Sequence, residues 1–542
     1  MSQPSARLVG GSLLAGAGVV AAATLASRVV GLGRWFVFSH SVGVTCTGQV
    51  YATANQVPNL LYEIAAGGAL AAVAVPLVAG HLNRGREDAA DRTASALLTW
   101  AVTALVPLAV LVAVLARPIA EALLGSGGCE PGSAPAAAAL MLVVFAPQVV
   151  LYGVGIVLAG VLQAHRRFLA AALAPLASSL VVIATYLAYG ALVPAGTPLA
   201  ETSRGALLLL AGGTTAGVVA MSLPLLWPAH RAGVRWRPTW RFPDGTAARA
   251  GALAVAGLVA VGAQQLCLLA TIWLANRAAG VGVLNVYTYA QTAYLLPYAV
   301  LVVPLATVAF PRLTDPGAAG RTLARTAQAV LVASVASACT LVAVRREVGE
   351  VFLAIDAGAA AEGAVTLDAL PAGLAAYAPG LVGFGLAALL TRALYARGSA
   401  RGAAGSVAAG WLLAALVPLT VLLPGGPHDP QRTLVVLGLG SAAGMLLTAL
   451  LQVGQVRRAW GSGALPGLAG VGAAALAGGL VALGLREALA GVWAPEGPWW
   501  AVLSAAVTVG VVLALSLGAV RVVAPQTFAA VRQGVTARRG PD

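Results

Sequence analysis

Along the 542-residue chain, apolar stretches of twenty or more residues alternate with short polar segments. A helix needs about 20 apolar residues to cross the hydrocarbon core of a bilayer. Fourteen stretches meet that length: roughly 10–38, 50–80, 93–116, 135–164, 168–193, 205–229, 250–276, 282–311, 323–344, 371–396, 402–424, 432–456, 464–489 and 498–524. Between the ninth and tenth, residues 345–370 form a polar excursion with one short apolar segment. The first stretch follows Arg7 as a signal peptide would, yet it continues past Ser27 into a second apolar half. A retained helix is the expectation.

The arginines test this map. With the N-terminus inside, 22 of the 32 basic residues fall in alternate, inner loops and 7 in outer ones; Arg28, Arg34 and Arg392 lie within spans. Cytoplasmic loops carry such an excess, so both termini are expected in the cytoplasm.

Composition narrows the class further. Hydrophobic residues make up 59% of the chain and charged ones 9%, against about 25% charged in soluble proteins. A soluble enzyme, a DNA-binding domain and a disordered tail are excluded. Every basic residue is Arg, with no Lys, which removes lysine phosphate loops and Schiff-base chemistry. The net charge of +14 is accounted for by loop arginines near anionic lipid heads, so nucleic acid is not an expected partner and membrane lipid is.

Cys46 and Cys129 fall in outer loops, and Cys267 and Cys339 in apolar runs. A Cys46–Cys129 disulfide is open if that side is oxidising, but two unpaired small apolar residues is the favoured reading. No zinc-type spacing occurs, so neither metal nor cofactor is expected.

The chain also repeats itself. Val50-Tyr51-Ala52-Thr53-Ala54-Asn55 matches Val286-Tyr287-Thr288-Tyr289-Ala290-Gln291. Ala71 to Pro76 matches Ala306 to Pro311 at nearly the same offset. The fold expected is an all-α polytopic membrane protein of about 14 transmembrane helices, with two six-helix lobes in pseudo-symmetric parallel repeat plus two C-terminal helices. The lobes would be 1–230 and 250–460, joined by a basic, Trp- and Pro-containing connector at 231–249. Helices at 461–524 and a tail at 525–542 would follow. Parallel repeats of this kind mark transporters, with a substrate site at the repeat interface near mid-membrane.

Charge inside a span is costly and usually faces a partner or a wet cavity. Arg28 and Arg34 lie about 120° out of alignment on the first helix, so a kink at Gly31 or Gly33 would help them converge. Glu63 is the one carboxylate within the spans and could neutralise either arginine. Arg392 sits near the inner end of its helix, where snorkelling is the default. Gln49, Asn55, Gln56 and Asn59 surround Pro58, ahead of Gly67-Gly68. Gln264, Asn285, Gln291 and Thr292 occupy the corresponding region of the second lobe. These polar residues either line a hydrated path or bond helix to helix. The candidate substrate-binding set is Arg28, Arg34, Glu63, Asn55, Asn59, Gln264, Gln291 and Arg392.

At these residues the chain resembles a known family. Ser-Arg-Val-x-Gly-x-x-Arg from Ser27, Val-Pro-Asn-Leu-Leu from Val57, and Gly-Ala-Leu-x-x-x-x-Val-Pro ending at Pro76 look like the MurJ (MviN) lipid II flippases. These belong to the multidrug/oligosaccharidyl-lipid/polysaccharide exporter superfamily. Gly160-Val161-Leu162 with Arg167-Phe168, Leu296-Pro297, Phe310-Pro311 and Arg392-Ala393-Leu394-Tyr395-Ala396 extend the resemblance from about residue 10 to 460. Abundant Ala, Gly and Arg without Lys suggests a GC-rich, actinobacterium-like source.

The resemblance implies two lobes around a cationic cavity, two C-terminal helices forming a lipid-tail groove, and alternating-access transfer of a polyprenyl-diphosphate-linked sugar across the membrane. Arg28 and Arg34 match two arginines the family uses for the diphosphate. Departures occur at Gln49, where the family often has Asp, and at Tyr62, which stands for a third cavity arginine. Gly67 stands for a glutamate, and Gln291-Thr292 for an Asp-Arg pair. A less cationic cavity follows, suited to lipid II or a related lipid-linked glycan. Envelope-synthesis proteins are candidate partners, and no catalysis is expected. The competing readings are a cation-coupled drug antiporter, a membrane glycosyltransferase and a scaffold. The glycosyltransferase would use Glu347, Glu350, Asp356, Glu362 and Asp368, whose irregular spacing reads as solvated loop charge.

Overall fold

The computed structural model describes the backbone of residues 6–64, 71–125, 129, 132–243, 246–314, 317, 319–359, 363–490, 497–523 and 525. Side chains are described over the same residues, save 6–18, 20–21, 71–73, 246–258, 311, 314 and 490. Gly67, Gly68, Glu362 and most of the expected tail lie outside the described residues. Among those described, every regular element is helical. Lipid offers a backbone N–H or C=O no partner, so a spanning segment closes its hydrogen bonds within itself, and long Ala/Leu/Val runs do so as helices.

The chain divides into two compact units at residues 261 and 262. The first holds α1 (Ala6–Ser41), α2 (Cys46–Glu63), α3 (Ala71–Leu82), α4 (Glu87–Val114), α5 (Ala116–Leu124), α6 (Ser133–Ala164), α7 (Phe168–Leu192), α8 (Arg204–Ser222) and α9 (Leu226–Arg231). The dividing point falls within α10 (Thr246–Asn276). In this unit α6 is central: α2, α4, α5 and α8 pack on it, while α1 packs on α7. Local chemistry sets the helix starts. Thr45 Oγ1 accepts from the Gly48 amide at 3.0 Å to open α2, and Ser203 Oγ accepts from Ala206 at 3.2 Å to open α8, as side-chain caps do.

The second unit continues with α11 (Val283–Pro297), α12 (Val303–Ala309), α13 (Ala319–Ala343), α14 (Arg345–Ile355), α15 (Gly363–Leu367) and α16 (Leu370–Tyr377). It ends with α17 (Gly380–Ala396), α18 (Ala400–Leu422), α19 (Pro430–Trp460), α20 (Leu468–Ala490) and α21 (Pro498–Val523). Here α19 is central to α16, α17 and α18, and α13 packs against α17, α20 and α21.

Among the described residues, 11 helices are long and apolar enough to cross a membrane. The count is 12 if Gly363–Tyr377 and Gly380–Ala396, bent by 48° at their junction, form one span. The first two expected stretches correspond to α1 and to α2 with α3. α1 continues as one helix through Gly31 and Gly33. α2 runs through Pro58 to Glu63, while α11 ends at Pro297 in a wider turn at Tyr298–Val302 before α12. Proline removes a backbone donor and crowds the preceding turn, which accounts for the change of turn after Pro297.

Two expectations are corrected. Cys46 and Cys129 are joined as a disulfide with their Cα atoms 5.5 Å apart, not left unpaired. The cap at Thr45 starts α2 where Cys46 can meet the chain beyond α5. The excursion at 345–370 is also not a solvated loop throughout. It forms the amphipathic α14, in which Glu347 is buried, and Asp356 directly after it is buried too. Asp356 accepts from Tyr289 Oη at 2.9 Å and from the Gly358 amide at 2.8 Å. Glu350 and Asp368 are exposed as expected.

Candidate functional site

In the first unit the site is built on α1, α2 and α6. Arg34 is half-buried on α1, its guanidinium carbon 5.5 Å from the centre of the adjacent Trp35 ring. Three tyrosine hydroxyls, those of Tyr51, Tyr152 and Tyr186, lie within its electrostatic reach. Tyr51 Oη is 2.9 Å from Tyr186 Oη and 2.9 Å from Thr214 Oγ1, and the Phe38 ring packs against both tyrosines. Phenol oxygens and ring faces are partially negative, so this hydroxyl-and-ring cluster lowers the cost of a guanidinium whose field reaches it. Arg34 Nε is buried and makes no hydrogen bond among the described residues.

Tyr152 extends the cluster toward α2. Its hydroxyl donates to Asn59 Oδ1 at 2.9 Å, and its ring lies 4.5 Å from that of Tyr62. Tyr62 therefore fills its position with a ring contact. Glu63 follows it, exposed, and forms no ion pair with Arg28 or Arg34. The four ion pairs among the described residues involve other groups. The neutralisation of an arginine that Glu63 could have supplied thus takes no ion-paired form among the described residues. Arg28 is exposed, one residue after Ser27, whose hydroxyl bonds Ala23 O at 2.8 Å and Ala172 O of α7 at 2.9 Å. Asn55 is half-buried with its Oδ1 unpaired among the described residues. Gln49 is fully buried.

The second unit has a ring cluster of its own. Gln291 Nε2 donates to Tyr287 Oη at 3.1 Å. Tyr287 and Tyr294 each pack edge-on to Tyr377 at 5.9 Å, and Tyr298 lies 4.3 Å from Phe384. Arg392 donates to the carbonyl of Ala388, one turn back on its own helix, and acts electrostatically on Tyr298. Gln264 is half-buried on α10. Each unit thus sets one intramembrane arginine beside tyrosines.

The structure joins Asn59 to Tyr152 by a hydrogen bond, and Arg34 and Glu63 act on Tyr152 electrostatically without a bond to it. Arg28 and Asn55 lie along the same two helices without joining that cluster by any hydrogen bond or ion pair. Tyr152, Tyr51 and Tyr186 are the residues that reading the sequence missed. Polar rings within otherwise apolar spans were the available signal.

The described residues hold no cluster of metal-ligating side chains. A family model described as "Lipid II flippase MurJ" matches residues 38–502. Among curated proteins, a probable lipid II flippase MurJ of Synechocystis sp. is 34% identical over 221 residues, 40% of each chain. The lipid II flippase MurJ of Burkholderia cenocepacia is 27% identical over 292 residues, 54% of this chain and 55% of its own. This chain spans about half the length of the curated relatives it matches. Among solved structures, a lipid II flippase MurJ in an inward closed conformation superposes with a TM-score of 0.74 at 16% identity, covering 93% of this chain and 98% of that one. An inward-facing multidrug resistance MATE family transporter gives 0.62 at 13% identity, covering 80% and 95%. The fold is that of these transporters, and because the family model covers most of the sequence, the chain belongs to the MurJ lipid II flippase family.

Proposed function

We propose that this protein translocates lipid II, or a closely related polyprenyl-diphosphate-linked glycan, across the bacterial plasma membrane by alternating access. The carrying observation is Arg34: a guanidinium in an apolar span, beside the Trp35 ring and with its field reaching tyrosine hydroxyls, and with no carboxylate paired to it among the described residues. A planar fork of donors suits a diphosphate. Tyr152 and Asn59 supply neutral hydrogen-bonding groups beside it, which fits an anionic head carrying sugar hydroxyls. Arg28, on the same helix, is the proposed second diphosphate contact. The proposed topology has both termini in the cytoplasm.

The reading is non-enzymatic. Of the outer carboxylates a glycosyltransferase would need, Glu347 is bound to Arg486 and Asp356 to Tyr289. A cation-coupled antiporter would draw on intramembrane carboxylates, and Glu63 is the one found among the described helix residues of the site. The test is complementation of a bacterium depleted of its own flippase. Wild type should restore growth, Arg34→Ala should not, and Arg28→Ala should be impaired. Failure of wild-type protein, stably inserted, would reassign the substrate; rescue by both variants would overturn the site.

A further inference from the structure

The connector after α9 is an extended strap lying on α4. The Arg237 amide donates to Ser95 Oγ at 3.0 Å, the Thr239 amide to Thr99 Oγ1 at 3.2 Å, and Trp100 Nε1 to the Trp240 carbonyl at 3.0 Å. Val234, Trp236 and Phe242 turn inward onto the core that Leu97 and Ala101 belong to. Side chains alternate in an extended strand, so Arg235 and Arg237 turn out, and Arg241 is exposed beyond them. Arg231, at the end of α9, stacks over the Trp227 ring at 4.0 Å.

Two rings complete the surface. Trp227 is 62% exposed and Trp240 54% exposed, and Trp240 meets Trp100 edge-on at 5.7 Å. Ser95, Thr99 and Trp100 lie on the first turns of the apolar part of α4, which sets the strap at the water–lipid boundary, where tryptophan collects. The neighbouring acid is Asp91, which interacts with the Arg235 amide and side chain. Arg231, Arg237 and Arg241 have no carboxylate within 4.0 Å among the described residues.

We propose that this strap is a docking surface for anionic phospholipid headgroups, with Arg231, Arg237 and Arg241 binding the phosphate and Trp227 and Trp240 resting at the glycerol level. Arginine binds phosphate through paired N–H groups, and a basic surface segment gains attraction from each charge held near an anionic leaflet. A connector serving only to join two units has no need of outward arginines beside exposed indoles at lipid depth. Hydrogen bonds of the strap to α4 fix their spacing before any lipid arrives, which reduces the ordering cost of binding.

The test uses the full chain in mild detergent, titrated with phosphatidylglycerol or phosphatidylcholine, with bound lipid counted by native mass spectrometry. Wild type should retain phosphatidylglycerol preferentially. Replacing Arg231, Arg237 and Arg241 together by Ala should weaken that retention about a hundredfold, from about fivefold per arginine, with phosphatidylcholine unchanged. A second measurement needs no substitution: added salt should release phosphatidylglycerol from wild type. Equal retention of the two lipids by wild type, or unchanged retention by a folded triple variant, would overturn the proposal. So would displacement of the lipid by inorganic phosphate at equal concentration, which would assign a soluble anion instead.

Discussion

Glu347 of α14 and Arg486 of α20 form a buried ion pair in the second unit: Arg486 Nε donates to Glu347 Oε1 at 3.1 Å, and Arg486 Nη2 donates to the same oxygen. Ser504 of α21 adds a third donor at 3.2 Å. The neighbours repeat the pairing in reverse, with Arg345 and Arg346 at 3.1 and 3.3 Å from Glu487. One short amphipathic helix is thereby pinned to both C-terminal helices. Removing Arg486 strands a carboxylate that is 3% exposed. Arg486→Ala should therefore cost up to about 3 kcal/mol, the low end for a broken buried pair because Arg486 keeps some solvent. Thermal unfolding in detergent should show Arg486→Ala below Arg345→Ala, and Glu347→Gln combined with Arg486→Gln should recover part of the loss.

Arg34→Lys tests whether charge alone suffices. Lysine keeps the charge but loses the planar fork, so complementation should be partial where Arg34→Ala gives none. Tyr152→Phe removes the hydroxyl bonded to Asn59 while keeping the ring on Tyr62. It should lower transport without lowering the protein's level in the membrane, and lipid II accessibility at the outer leaflet is the readout.

The disulfide predicts a count of thiols. Unfolded, unreduced protein should take up label at Cys267 and Cys339 alone, and reduction should add two labels, measured by intact mass. Cys46→Ser should lower thermal stability, because the bond closes a loop across 83 residues of sequence that an open chain would leave unconstrained.

Helix crossings in the second unit depend on missing side chains. At Gly383 of α17, a Cβ would run into the backbone of Met445 on α19. Close approach between membrane helices relies on such small residues. Gly383→Val should push α17 off α19 and abolish accumulation of folded protein, whereas Gly484→Val, with open space around it, should be tolerated.

His165, just past the end of α6, gives a pH dependence. Burial holds its imidazole below the usual 6.5, Arg167 acts in the same direction, and Asp91 and Glu87 oppose them. The unfolded chain then takes the proton first, so this contribution to stability is complete above pH 6.5 and declines as pH falls below it. His165→Gln should flatten that decline in thermal unfolding curves taken at successively lower pH.

Much of the fold was legible in the sequence because a bilayer imposes few alternatives. Long apolar runs become helices since no other element satisfies its backbone there, and Pro297 announces the change of turn that follows α11. The candidate site was legible only in part. A guanidinium in an apolar span is conspicuous, so Arg28, Arg34 and Arg392 stood out. The tyrosines around Arg34 did not, because Tyr152 and Tyr186 lie about a hundred or more residues away on other helices and each is unremarkable locally. Nor does the sequence show that Glu63, the one carboxylate in these spans, forms no ion pair with either arginine.

Sequence by itself determined the class, the helix-rich architecture, the family resemblance and the unusual charges, since each depends on local composition or on spacing along one helix. Tertiary structure alone decided which charges are neutralised. Glu347, read as solvated, is bound to Arg486, 139 residues away, while Arg34 has hydroxyls and rings in place of a carboxylate. It also decided that Cys46 meets Cys129. Pairing depends on how helices pack, and packing is settled by contacts between residues far apart in the chain.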